Sequence, residues 1–342
     1  MIKDELSLKY VNMRTGGITR HPVNDGVYLK SIVRMKDDAM VLFPTTTCMH
    51  IFDGMEFYTE MKLNVFKKKH PDFARQRENL RKLLVSLGIG EAYTTRLTFA
   101  TDEVAVVDEQ GIYLQDGRNI FPENYSLFEE DIQFRADAII TDRKNVALVM
   151  YSADCPTAFL RDKRTGAIGV LHSMWRGMVV EHEDGEKSSI VKKTVEAMTQ
   201  EYGTNPADLE VTIFPCAGFD QYEIGTDVST KFENHDLGKF LVGDENGDIH
   251  LDLSGAMKEL FVRSGVPAES IEMTPYTTAD YGLNSLRLAP TNSALGADGM
   301  TGQEVYDDIH ETEHPTTLHP EWQIQANTVR SSALNFLIAV RT

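Results

Sequence analysis

Residues 150–179 read MYSADCPTAFLRDKRTGAIGVLHSMWRGMV, and this stretch has the pattern of a β-hairpin. Two apolar runs flank the tetrapeptide KRTG at 163–166, whose polar residues and glycine are typical of a turn between antiparallel strands. Counting outward from that turn fixes which residues stand opposite each other. The pairs predicted in this way are Asp162 with Ala167, Leu160 with Gly169, and Thr157 with His172.

Cys155 and His172 are predicted to share one face of this hairpin. Cys155 stands two residues before Thr157, and side chains two apart along a strand point to the same face, so Cys155 lies diagonal to His172. The two side chains could then share a metal ion, or the imidazole could accept the thiol proton. The commoner alternative for such residues is a small buried cysteine beside a hydrogen-bonded core histidine.

Three neighbours make the stretch a candidate site. Asp154 stands at a strand end before a proline, where loop backbone often carries functional groups. Trp175 and Arg176 follow His172 closely; an indole face can stack on a heteroaromatic ring, and a guanidinium fork can hold a phosphate or carboxylate. Each has an ordinary alternative as a core residue or a surface ion pair, so the indication comes from the cluster.

The composition narrows the class of protein. The chain has 342 residues with a formal net charge of −18 and a pI near 5.0, which argues against sequence-independent binding to nucleic acid or to an anionic membrane surface. No apolar run approaches the roughly 18 residues that a membrane helix needs, and the N-terminus lacks the apolar core of a signal peptide. Three widely spaced cysteines do not describe a disulfide framework. We expect a cytoplasmic protein whose partner is a small molecule or another protein.

The fold class predicted is α+β, with mixed β-sheets in a sandwich-like core flanked by helices, in a single large domain. Strand signals fill the first seventy residues, which suggest an antiparallel layer, and continue at 95–101, 103–109, 136–142 and 145–153. Helices are predicted at 72–87, from Ser188 or Ser189 to Gly203, from Ser254 to about 264, and over the closing stretch 321–340. The segments 243–250 and 302–320 are expected to be solvated loops.

The hairpin residues also resemble a known family. ADAIITDRKNVALVMYSADCPTAFL followed by GAIGVLHSMWRG is similar to the core of the multicopper polyphenol oxidase (laccase) domain family, whose members show a strand ending in TADC and then HAGWRG. Several members are described as purine nucleoside phosphorylases and some bacterial ones as peptidoglycan editing factors. The resemblance runs from about residue 50 to the end, so that 1–48 would be a strand-rich extension or insertion and 49–342 the family domain.

The resemblance implies roles for further residues. It carries substrate contacts onto Asn79 in RENLRKLL, onto Ser285 and Arg287 in LNSLRL, and onto Arg330 in NTVRSSALNFLIAV. Together with Trp175 and Arg176, these are the predicted substrate-binding residues. The predicted catalytic residues are Cys155, His172 and Asp154.

One departure from the family pattern concerns the metal. The family's ligand set resembles His-Cys-His, and Ala100, in TFATDEVAVVDE, stands where the first histidine belongs. Only Cys155 and His172 then remain as ligands. The set lacks one ligand, because a catalytic zinc normally has three protein ligands. His50 and His182 are possible substitutes. We expect at most weak zinc binding, and no cluster of histidines supports a multicopper centre.

Three functions of different classes stay open. The first is an enzyme that cleaves adenosine- or inosine-type nucleosides with phosphate. The second is a Cys/His hydrolase that acts on an amide of a cell-wall precursor, with His172 as the base for Cys155. The third is a catalytically silent relative that keeps the fold and binds a small molecule or a protein, and the alanine at position 100 favours it.

Overall fold

The structure is a computed structural model, and it describes most of the predicted core. The described residues are 19–23, 27–36, 39–44, 49–52, 55–58, 89–95, 102–115, 120–122, 136–152, 155–219, 222–245, 247–274 and 335–341. Within them the strands β1 to β21 are, in chain order, Thr19–Val23, Val27–Lys36, Ala39–Pro44, Met49–Phe52, Met55–Tyr58, Glu91–Thr94, Val104–Asp108, Gly111–Leu114, Ile120–Pro122, Ala138–Thr141, Val146–Ser152, Thr157–Asp162, Ile168–His172, Val180–Glu181, Lys187–Ser188, Leu209–Ile213, Glu223–Ile224, Leu241–Gly243, Ile249–Leu251, Ile271–Met273 and Asn335–Arg341. The α-helices α1 to α4 in the same part of the chain are Trp175–Met178, Ile190–Tyr202, Thr226–Asn234 and Leu253–Arg263.

Two large sheets form the body of the fold. The first has six strands in the order β1-β2-β3-β21-β11-β6, and the second has eight in the order β20-β16-β12-β13-β10-β7-β8-β9. Both mix parallel and antiparallel pairs, since β11 runs parallel to β6 and β10 runs parallel to β7. The small sheets in the described ranges are β4-β5, β14-β15 and β17-β19-β18.

The eight-stranded sheet is covered on both faces. On one face β11 and β21 pack against β13, and on the other α2 packs against β13, β10 and β7 and beside α4. Gly169 faces α2, because a Cβ built there would lie 3.0 Å from Ile140 Cγ2 and 3.5 Å from Met198 Sδ. Alternation along β13 therefore turns Leu171 towards the helices and His172 towards the other sheet. The predicted α+β fold, a single domain with a sandwich-like core flanked by helices, is confirmed.

The central hairpin has the predicted register. Thr157 pairs with His172 and Leu160 pairs with Gly169, and the N–H of Asp162 donates to the Ala167 carbonyl at 2.9 Å. The turn closes on Gly166, whose φ of 74° lies in the left-handed region that glycine adopts without strain.

The second helix was also predicted correctly. α2 begins after Ser189, whose hydroxyl accepts the N–H of Lys192 at 3.1 Å. It ends at Gly203, which has a φ of 63° and donates its N–H to the last carbonyls of the helix. These are the cap signals that the sequence contains at both ends.

The start of α4 differs from the prediction. Asp252, rather than Ser254, is the N-cap, because its Oδ1 accepts the N–H of Gly255 at 2.9 Å. The Ser254 hydroxyl donates to the same carboxylate oxygen at 3.0 Å. An ionised carboxylate at the first turn also interacts favourably with the helix dipole, which explains the choice.

The closing helix prediction is wrong over its last residues. Residues Asn335–Arg341 form β21, which pairs antiparallel with both β11 and β3. Its residues 337–340 are buried, and a short apolar run of this kind fits a buried helix or a buried strand equally well. Hydrogen bonds to β11 and β3 satisfy the backbone groups on both sides of this segment. This explains why the segment forms a strand.

The remaining predictions have mixed outcomes. The N-terminal layer is antiparallel as expected, through β1-β2 and β2-β3, and β3 joins β21 in the six-stranded sheet. Strand signals at 103–109, 136–142 and 145–153 correspond to β7, β10 and β11, whereas β6 lies just before the predicted strand at 95–101. The expected loop at 243–250 is the tip of a hairpin, because β18 and β19 pair around it. The helix predicted at 72–87, the loop at 302–320 and the proposed boundary at residue 48 lie outside the described residues.

None of the helices in the described ranges is long and apolar enough to cross a membrane.

The cap assignment of α4 gives a test of the fold. We expect Asp252→Ala to lower the free energy of unfolding by about 1 kcal/mol, because it leaves the Gly255 N–H without its acceptor. Ser254→Ala should cost about 0.5 kcal/mol or less, since alanine suits the first turn of a helix. Urea denaturation of both variants checks this, with Asp252→Asn as the control that keeps a cap oxygen. Equal losses for the two alanine variants would contradict the assignment.

Candidate active site

One end of the eight-stranded sheet collects the candidate side chains. Ala138 stands opposite Val104 in the parallel pair of β10 and β7, and opposite Leu171 in the antiparallel pair of β10 and β13. The starts of β7 and β10 and the end of β13 therefore share one edge, and β12 starts there too because Thr157 pairs with His172. We call this edge the site end. Ionisable residues at the site end include Asp102, Glu103, Asp137, Cys155 and His172.

His172 is buried at the site end beside an acidic residue. Its Nδ1 lies 3.6 Å from Asp137 Oδ1, and the two side chains are only 1% and 2% exposed. The His172 N–H also donates to the Asp137 carbonyl at 2.8 Å. A separation of 3.6 Å is slightly too long for a hydrogen bond, so the two side chains are close neighbours inside the fold.

Asp137 was not among the residues predicted from the sequence. It directly precedes β10, and it meets His172 only because β10 pairs with β13. The available signal was an acidic residue in ADAIITD, at the start of an otherwise apolar strand. Pairing that strand with the hairpin would have been needed to find the contact.

Cys155 lies in a bend just before β12, so strand alternation does not extend to it. Its half-buried side chain packs against the hydrophobic core, and its place on the same face as His172 stays a prediction. Its carbonyl accepts the Ser152 hydroxyl at 2.6 Å, and the next carbonyl, of Pro156, accepts the Ser173 N–H at 3.0 Å. These bonds fix the backbone where the chain passes from the six-stranded to the eight-stranded sheet.

Trp175 and Arg176 follow at the single-turn helix α1. The indole is 3% exposed, and the Arg176 Cζ lies 4.6 Å from the ring centroid, with Lys231 Nζ of α3 at 5.4 Å. Both distances fit cation–π contacts. The ring is thus already in contact with protein cations, and a stacking role for Trp175 towards a substrate stays a prediction.

Several predicted residues are not placed by the structure. Asp154, Asn79, Ser285, Arg287, Arg330 and Ala100 lie outside the described residues, and their roles stay predictions. Of the two substitute histidines, His50 lies on β4. His182 lies 3.0 Å from Asp102, through Nε2 and Oδ2.

The described residues do not supply a complete metal site. No three histidine, cysteine, aspartate or glutamate side chains among them are grouped so that they could hold a metal ion. Cys155 and His172 fall one short of the three ligands typical of catalytic zinc.

The chain is an α+β sandwich of two sheets, with Cys155 and His172 at one end of the eight-stranded sheet. Residues 54–286 match the family model described as multi-copper polyphenol oxidoreductase laccase. The chain belongs to this family.

Two relatives are similar to the chain in sequence, and one solved structure is similar to it in fold. A purine nucleoside phosphorylase of Deinococcus radiodurans is 32% identical over 148 residues, 43% of this chain and 54% of the relative. An adenosine deaminase, RL5, of an unknown prokaryotic organism is 29% identical over 138 residues, 40% of this chain and 49% of the relative. The chain thus spans about half the length of the relatives it matches by sequence. The crystal structure of the Bacillus licheniformis hypothetical protein YfiH covers 93% of this chain and 98% of its own, with a TM-score of 0.63 and 17% identity.

The thiols give a first test of the site. We expect iodoacetamide to label Cys155 well before Cys216, because Cys155 is half-buried at the site end and Cys216 is only 5% exposed within the core. Peptide mass spectrometry after timed alkylation measures both rates, and Cys155→Ala should remove the fast phase. Faster labelling of Cys216 would contradict this view of the site.

Metal content gives a second test. We expect less than one zinc ion per chain after dialysis against metal-free buffer, because the family resemblance implies that Ala100 stands where a third ligand would be. Elemental analysis measures the content, with Cys155→Ala as the control for zinc bound elsewhere. One full equivalent that survives dialysis and is lost in Cys155→Ala would contradict the expectation.

Proposed function

We propose that the chain is a purine nucleoside phosphorylase-like enzyme that cleaves adenosine- or inosine-type nucleosides with inorganic phosphate. The observation that carries the proposal is a pair of cations next to the site end. Arg176 and Lys231 both lie against the Trp175 ring, and Arg176 follows His172 by four residues. Relatives named purine nucleoside phosphorylase and adenosine deaminase support a nucleoside as the substrate class.

The cations suit the anionic co-substrate. A chain with a net charge of −18 repels phosphate at long range, so a phosphate site needs a local positive potential. Arg176 is half-buried and Lys231 is exposed, which offers one guanidinium fork and one flexible ammonium to the same anion. An arginine can bind two phosphate oxygens at once, which positions as well as attracts the anion.

The buried imidazole suits proton transfer from that anion. In phosphorolysis an oxygen of hydrogen phosphate attacks C1′ of the ribose, the bond from C1′ to the base nitrogen breaks, and its electron pair goes to the purine. An unprotonated oxygen of hydrogen phosphate makes the attack, so the proton that the phosphate still carries is lost from the ribose 1-phosphate product after the bond has formed. His172 is the proposed acceptor of that proton, and Asp137 lies beside it, 3.6 Å from Nδ1.

A Cys/His hydrolase is the second candidate, and one observation favours it. Cys155 is a half-buried thiol at the same end of the sheet as His172, and a thiol nucleophile needs an imidazole within hydrogen-bond reach. In that case the thiolate would attack an amide or ester carbonyl, and activity would not depend on phosphate. The silent-relative hypothesis predicts no turnover at all.

Substitution of Arg176 distinguishes a role in phosphate binding from a role in packing. We expect Arg176→Lys to raise the KM for phosphate about tenfold, because lysine keeps the charge but loses the bidentate fork. The melting temperature should change little, since lysine also keeps a cation near the indole. Base release from adenosine and inosine is measured by chromatography, with and without phosphate, beside the melting curve.

Arg164→Lys is the matched control. Arg164 lies at the hairpin turn, on the opposite end of the same sheet, and is largely exposed. The Arg164→Lys variant should leave the KM for phosphate unchanged. Base release that does not require phosphate would favour the hydrolase. An unchanged KM for phosphate in Arg176→Lys would show that phosphate does not bind at Arg176.

A further inference from the structure

A cavity of about 540 Å³ lies between the helices α2 and α4. Its walls come from one face of α2, from the last turn of α4, and from the segments 187–189 and 235–236. A volume of this size lies within the range of roughly 300–1,000 Å³ that is usual for small-molecule sites. Arg176 and Lys231, the cations of the proposed phosphate position, are not among the residues that line it. The cavity is therefore a separate candidate site.

The cavity differs in charge between its two ends. Where α2 begins, Lys187 and Lys192 line it, and from Thr199 to Pro206 the lining residues are uncharged. Positions 192 and 199 lie seven residues apart on one helix. At a rise of 1.5 Å per residue, the basic end and the uncharged end are about 10 Å apart.

The surface of the cavity is mainly apolar, although many of its lining residues are polar or charged. Met178, Val195 and Leu260 contribute apolar side chains, and the first two are buried. Lysine and arginine side chains add their methylene stems to such a surface while the charged heads stay in water. An elongated apolar group would therefore lose contact with water on entering the cavity.

The two lysines at the basic end keep donors for an anion. Lys192 Nζ lies 3.0 Å from Glu186 and 3.8 Å from Glu196, and the hydrogen bond to Glu186 is the main reason that the pKa of Lys192 is raised. Lys187 Nζ donates to the carbonyl of Asn234. An ammonium has three N–H donors, so these contacts with described residues leave at least one donor on each lysine.

Two helix ends add to the charge at the basic end. α2 begins there, and the first N–H groups of its backbone carry a partial positive charge. The carbonyl end of α3 lies nearby, but it has cationic partners of its own. Lys187 donates to the Asn234 carbonyl, and Arg263 donates to the carbonyls of His235 at 2.9 Å and Asp236 at 2.7 Å. The remaining partial charge at this end is therefore positive.

A buried hydroxyl and the balance of charges also favour an anionic ligand. Ser188 lines the cavity, and its buried hydroxyl makes no hydrogen bond within the described part of the chain. Buried polar groups usually have a partner, which a ligand or an ordered water can supply. Three lysine or arginine side chains and two carboxylates line the cavity, so it is locally positive on a chain whose net charge is −18.

We propose that this cavity binds a small organic acid, with the anionic group held by Lys187 and Lys192 and the apolar body lying along Val195 and Leu260. A carboxylate, a sulfonate or a phosphate monoester on an apolar body about 10 Å long meets this description. The site is independent of nucleoside cleavage.

Ligands of equal chain length and different charge provide the test. The probe is 8-anilinonaphthalene-1-sulfonate, whose fluorescence rises in an apolar site, and the competitors are octanesulfonate, octanol and octyltrimethylammonium. We expect saturable binding of the probe to the wild type. Octanesulfonate should displace it at a concentration about tenfold lower than octanol does, because only the sulfonate pairs with the lysines. The octyl cation should not displace it.

Adjacent lysines of α2 supply a matched pair of variants. Lys192 lines the cavity, whereas Lys193 does not, and its Nζ lies 3.5 Å from Glu196. Lys192→Ala should raise the Kd of the probe about fivefold, because it removes an ammonium from the anion. Lys193→Ala makes the same change in net charge and should alter the Kd less than about twofold. Thr199→Trp should also weaken binding, because the indole fills the uncharged end.

Several outcomes would overturn the proposal. Equal displacement by octanesulfonate and octanol would remove the preference for an anion, and binding without saturation would remove the site. Equal effects of Lys192→Ala and Lys193→Ala, or a changed Kd in Arg176→Lys, would place the probe outside this cavity. Melting curves show whether each variant is folded, and the competition with wild-type protein decides the preference for an anion without any variant.

Discussion

The turn after Asp162 is the constraint on which the site depends, because it sets the register of β12 against β13. Asp162 Oδ1 accepts the backbone N–H of Arg164 at 2.7 Å and that of Thr165 at 3.1 Å. Burial acts to raise the pKa of Asp162, but the neighbouring Thr204 hydroxyl and these backbone donors outweigh it and hold the pKa below its ordinary value. A one-residue slip of this register would turn His172 away from the second sheet and from its acidic neighbour.

The close approach of α2 to the sheet follows from the same hairpin. Gly169 has no side chain, and a Cβ there would press on Ile140 and leave no room to spare against Met198 of the helix. The helix can therefore lie directly on β13. Since α2 follows the hairpin of β14 and β15 without a linker, its position also fixes where His182 meets Asp102. The packing of α2 on the sheet thus also determines where the side chains at the site end meet.

Local signals predict the central hairpin and α2 correctly, because turn residues, caps and apolar spacing act within a few residues of one another. The strand at Asn335–Arg341 is mistaken for a helix, since its apolar run has no turn signal and its partner strands lie far away in the sequence. Asp137 is missed because its contact with His172 exists only once β10 is paired. The contact between Asp102 and His182 joins positions 80 residues apart, and no local pattern reports it.

The family resemblance implies that Ala100 stands in place of a metal-binding histidine, and this would change which chemistry the site end supports. A metal ion needs about three protein ligands held at fixed positions, and an imidazole bound to a carboxylate through one nitrogen offers a single further donor. His182 comes from the tip of the hairpin of β14 and β15, which is fixed by its own backbone bonds. The contact with Asp102 therefore orients one imidazole nitrogen of His182, and it does not by itself assemble the three ligands that a catalytic zinc needs.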